Sequence, residues 1–144
     1  MANGVYNRGK FIIGNAALEL DAADIRLLLV KSTYAFDATH NFVSDVVAGA
    51  QEISVGGYAR QALTTKTLTE DDGNGFAYLD ADDTLFAALA AGQTVGGAVL
   101  YKFNAADAAA EVIGFYDLTD TATNGGDITV QWAAAASGGV LKLA

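Results

Sequence analysis

His40 is the single histidine of the chain, and Ser44 and Asp45 follow it closely. A hydrolytic triad would draw on those three residue types. It would also need a nucleophile held on a strained turn, and Ser44 lies in no Gly-x-Ser-x-Gly context. His40 is therefore read as a structural hydrogen-bonding residue in a loop. The other chemistry-bearing residues are aspartates: Asp71-Asp72 with Asn74, and Asp80, Asp82 and Asp83. Alternating acids can ligate calcium through oxygen. The glycine and the terminal glutamate of a calcium-binding loop are missing after both Asp72 and Asp80, so these groups read as turn chemistry and a solvated face. Paired carboxylates also raise glycoside hydrolysis, but no aromatic sugar platform lies beside them in the sequence. The glycine pairs 56–57, 96–97, 125–126 and 138–139 lack phosphate-loop spacing and read as turns and close backbone approaches. The expectation is a protein that is not an enzyme, with no catalytic, cofactor or metal site.

Such residues need elements to position them, and composition bounds what those elements are. The 144 residues fit one domain, 1–144. A body of that size buries roughly 68% of the surface its unfolded chain exposes, enough for a core without staples. There are no cysteines, so disulfides and thiol chemistry are excluded. Eight basic residues against seventeen acidic give a formal charge of −9. That balance repels phosphate and anionic lipid, so neither nucleic acid nor membrane is an expected partner. No segment reads as a cleaved signal, and no run reaches the ~18 apolar residues of a membrane helix.

The pattern along the chain points to short strands. Residues 5–16 fit either a short helix, with Tyr6, Phe11, Ile12 and Ala16 on one stripe, or a strand. Asp24–Lys31 (DIRLLLVK) is a continuous apolar run broken by one arginine, the signature of a buried strand. Tyr34–Val47 reads as a loop with a short helix near Phe42–Val46. Glu52–Val55 reads as a strand closed by Gly56-Gly57, Tyr58–Thr69 as extended, and Glu70–Gly75 as a turn. Alternation marks Val99, Tyr101 and Phe103, then Val112–Leu118, and most cleanly Ile128, Val130 and Trp132. Val140–Leu143 closes the chain. Seven to nine short strands predict an all-β fold, a sandwich or barrel-like single domain with a minor helix near the N-terminus.

Five stretches in this order carry a resemblance: DIRLLLVKSTYAFDATHNFVSDV (24–46), GGYARQALTTKTLT (56–69), LDADD (79–83) with Leu85-Phe86, GGAVLYK (96–102) and NGGDITVQW (124–132). They are spread from residue 24 to residue 132, and the chain resembles a family of small virion structural proteins of tailed bacteriophages. The Ala- and Asp-rich link 104–111 and the alanine run 133–136 depart from that pattern. The resemblance implies a virion component made in the host cytoplasm. Acidity and compactness favour a capsid decoration (cement) protein on the outer surface of the phage head, stabilising the shell by bridging capsomers. Its expected partners are the phage major capsid protein and further copies of itself, as a dimer or trimer. The alternative is a tail or head-tail connector protein. A glycan-binding module, the third class, would need an aromatic groove. Contact residues are expected in the segment Ala2–Lys10, read as a docking arm and including Tyr6, Arg8 and Lys10, and at Tyr58 and Arg60. For Arg60, an internal salt bridge is the competing role.

Overall fold

In Ile25–Lys31 every residue except Arg26 and Lys31 is buried. A strand with one solvated face alternates, so an unbroken apolar run needs cover on both sides. The computed structural model, which describes residues 3–144, supplies it. In chain order the elements are β1 (Gly4–Val5), α1 (Asn7–Gly14), β2 (Ile25–Lys31), α2 (Val43–Val46), β3 (Gln61–Ala62), β4 (Thr67–Asp71) and β5 (Phe76–Asp80). They continue with β6 (Thr84–Phe86), β7 (Thr94–Lys102), β8 (Val112–Ala122), β9 (Ile128–Val130) and β10 (Leu141–Leu143). Antiparallel pairing assembles them into a central sheet of order β1-β8-β7-β2-β3, a smaller sheet β10-β5-β4, and the pair β6-β9. The all-β expectation with a small N-terminal helix holds.

The central sheet separates two cores. On one face Ile25, Leu27, Leu29, Ala98, Leu100 and Ile113 pack against Leu79, Leu141, Phe86 and Val130 of the smaller sheets and Ile12 of α1. This is sandwich-like layering. On the other face Leu28, Val30, Val99, Tyr101, Val112 and Phe115 meet Tyr6, Tyr34, Val43 and Val46. There the cover is the 34–47 loop and its one-turn helix rather than a second sheet. The Asp45 carboxylate sets that turn by accepting the backbone N–H groups of Asn41 and Phe42 at 2.9 and 3.0 Å. Those bonds hold its pKa below the usual range.

Two-sided burial accounts for the departures from the sequence reading. Val95–Tyr101 of β7 is buried throughout, so Val99, Tyr101 and Phe103 do not alternate. Gly96-Gly97 lies inside that strand, so of the turn and close-approach readings the close approach is the one it fills. A Cβ on Gly97 would stand 2.5 Å from the Phe115 ring, and one on Gly96 2.4 Å from Ser32 Cα. Glu52–Val55 forms only a single bridge, Glu52 to Val30. Residues 7–14 are helical, yet Phe11 is 57% exposed and Ala16 is exposed, so the expected stripe keeps only Tyr6 and Ile12 inside. Gly9 sets how close α1 lies, since a Cβ there would be 2.5 Å from Ile113 O.

Candidate docking surface

The five expected contact residues divide between the interior and the surface. Tyr6 is wholly buried. Its hydroxyl lies 2.8 Å from that of Tyr34, which in turn lies 3.2 Å from His40 Nδ1. Burial raises the pKa of Tyr6 above its ordinary value. The expectation that Tyr6 docks a partner is corrected, because its side chain is enclosed by the core it helps to build. The docking arm is likewise corrected from Gly4 onward. Gly4 and Val5 pair with Phe115 and Gly114, and α1 begins at Asn7. Ala2 lies outside the described residues.

His40 meets Tyr34, whereas Asp45 is spent on backbone N–H groups, so the trio 40, 44 and 45 does not align as a triad. The aspartates act as turn and hydroxyl acceptors. Asp71 binds Asn74, Asp82 binds Thr65 at 2.5 Å, and Asp83 accepts the Trp132 N–H at 3.0 Å. No group of three acids or histidines among the described residues could hold a metal ion.

Tyr58 and Arg60 belong to one internal network. Outside β2, the chain at 51–53 bonds to Lys31 and Leu29, and β3 pairs with Arg26 and Leu27. Between them the Leu29 N–H meets no neighbouring backbone and instead donates to the Tyr58 hydroxyl at 3.0 Å. That hydroxyl donates to Glu52 Oε1 at 2.8 Å. Arg60 fixes Glu52 with two bonds of 2.7 Å and Asp107 with bonds of 2.7 and 3.0 Å. The Arg60 bond holds the Asp107 carboxyl below the usual range. The salt-bridge role weighed for Arg60 is the one it occupies. Tyr58→Phe leaves the Leu29 N–H without an acceptor, so we expect a stability loss of about 1–3 kcal/mol in urea titrations. An unchanged midpoint would mean that water replaces the hydroxyl.

Arg8 and Lys10 are different. The Arg8 guanidinium sits 5.4 and 5.6 Å from the rings of Phe11 and Phe42 and pairs with Glu111. Lys10 is exposed at the rim of a cleft of about 370 Å³ between α1, β1 and β10. A neighbouring groove of about 330 Å³ continues past Val5, Leu141 and Lys142 to Tyr116 and Trp132. Those two rings meet edge to face at 5.0 Å. No local signal in the sequence marks this cleft, because its walls come from the two ends of the chain.

No protein-family model matches this chain, and no curated protein and no solved structure matches it.

Proposed function

We propose that this protein is a structural component of a tailed-phage virion, a decoration protein that binds the outer surface of the assembled head and stabilises it by bridging capsomers. The observation that carries this reading is where the polar residues of the resembling stretches go. Asp45, Tyr58 and Arg60 all bond within the chain and brace the central sheet. Those three residues thus belong to a scaffold, and the exposed features lie outside its core: strand β4, the cleft beside β10, and Phe11 on α1. That division suits a module whose output is contact rather than turnover. A net charge of −9 suits an outer face better than one lining packaged DNA.

Binding that favours the assembled shell over its dissociated subunits stabilises the shell by mass action. Heads carrying the protein should therefore release DNA at a higher temperature than heads lacking it. Electron cryo-microscopy of intact particles tests the assignment directly. Density for this chain in many copies over the head is the expected result. Density confined to a portal vertex or tail would replace it with the connector reading.

A further inference from the structure

The sheet β10-β5-β4 ends in two open edges of opposite character. β4 is the outer strand of a hairpin whose residues Thr67–Glu70 are all exposed, with Leu68 at 45%. Its free edge carries Glu70 and Asp71. The other edge, β10, borders the cleft lined in part by Val5, Lys10, Ile13, Leu141, Lys142 and Leu143, which contains two lysines and no acidic side chain. Neither Lys10 nor Lys142 has a carboxylate partner among the described residues, and Glu70 has no cationic one. Lys142 instead rests on the Phe76 ring at 4.1 Å.

The registers say how these edges would match. Leu68 pairs with Leu79, which pairs with Leu141; Thr69 pairs with Tyr78, which pairs with Lys142. Side chains alternate along each strand, so Leu68 and Glu70 share a face with Leu141 and Leu143, while Thr69 and Asp71 share the other with Lys142. If the sheet continued from β10 of one copy into β4 of the next, Leu68 would fall beside Leu141 and Leu143. Asp71 would fall on the side of Lys142, and Glu70 on the side of α1 and Lys10.

We infer that this chain self-associates head to tail, with β4 of one copy seated in the cleft along β10 of its neighbour. Backbone bonds at the free edges supply affinity, and the acid–lysine match supplies register. A contact between two different patches closes into a ring when the rotation allows. The inference gives an interface to the multi-copy reading above. It is measured on the purified chain, so its failure is separate from a failure of the particle assignment. A dimer or trimer would suit a surface clip, and a larger ring the connector alternative.

The test is the mass of the full-length protein in solution, by native mass spectrometry and light scattering at low salt. Wild type should be a closed oligomer. E70K/D71K and K10E/K142E should each weaken association at least about tenfold, as like charges then face each other. The four substitutions combined should restore it. An equimolar mixture of L68D and K142E, each broken on a different edge, should give a dimer containing one copy of each. Circular dichroism matching wild type establishes that each variant is folded, and E70K alone serves if a double variant is not. A monomeric wild type, an oligomer indifferent to K10E/K142E, or a four-fold variant that stays dissociated would each overturn the inference. Persistence in K10E/K142E together with loss in E70K/D71K would identify pairing of two β4 strands instead.

Discussion

Gly97→Ala is expected to cost about 2–3 kcal/mol, from the overpacking of one methyl group. Gly97 is buried in β7, and its missing Cβ would lie 2.5 and 2.9 Å from two carbons of the Phe115 ring and 3.1 Å from Tyr116 O. The ring has no room to retreat. It is stacked on Phe36 at 5.4 Å and tilted against Tyr34 at 5.6 Å. Insertion of a methyl group into such a core forces neighbours off their rotamers, at typically 1–3 kcal/mol. A second substitution separates this from a backbone effect. Phe115→Leu alone should cost on the order of 1 kcal/mol, but in the Gly97→Ala background it should recover part of the loss. Denaturant titrations of the four proteins give the coupling. Strict additivity would show that the Phe115 ring is not what resists the methyl.

Arg60→Met is expected to be the second large loss, about 2–3 kcal/mol at neutral pH. It removes four charge-assisted bonds and leaves Glu52 and Asp107 facing each other without the cation between them. The side chains of Arg60, Glu52 and Asp107 are 24, 19 and 37% exposed, so the cost stays below that of a fully enclosed pair. The pH dependence is the signature. Asp107 is held below its ordinary value of 3.8 by Arg60. A depressed carboxyl contributes stability that is present above the unfolded pKa and lost as pH falls through the folded one. The gap between wild type and Arg60→Met should therefore be widest near pH 7 and narrow below about pH 4. Asp24, Asp37 and Asp45 are lowered as well, so wild type itself should weaken in acid. A gap that persists unchanged at pH 3 would assign the loss to packing over the Tyr101 ring, 5.6 Å from the guanidinium.

Local pattern made some elements legible and left others hidden for physical reasons. DIRLLLVK announced a strand buried on both faces, and β2 is one. Ile128, Val130 and Trp132 alternate with exposed Thr129 and Gln131 as read, although β9 itself stops at Val130. The one-turn helix expected near Phe42–Val46 forms, and the structure shows the Asp45 carboxylate capping it. By contrast, a two-residue strand such as β1 has no period to read. Tyr58 and Arg60 follow a glycine pair in a stretch that reads as extended and open to a partner. Their roles emerge only when Leu29, Glu52 and Asp107 arrive from elsewhere in the chain. Gly96-Gly97 resembled a turn by composition, but the glycines are required by what presses on the strand from outside it. The cleft beside β10 was hidden for a related reason, since Val5 and Leu141 meet only in three dimensions.

The pairing of Gly4 with Phe115 also governs how the protein comes into being. The first strand waits for a partner near the far end of the chain, and β2 waits for β7 across the whole 32–93 stretch. Such distant pairings put loop closure ahead of the contacts that repay it, which places folding in the millisecond-to-second range rather than the microsecond range of local folds. During synthesis, DIRLLLVK emerges long before β7 and β8 can cover it. The nascent chain thus carries a bare apolar segment until β7 has followed it. Seventeen acids spread along the sequence, Asp24 at the head of that segment and Asp21 just upstream, make such chains repel one another.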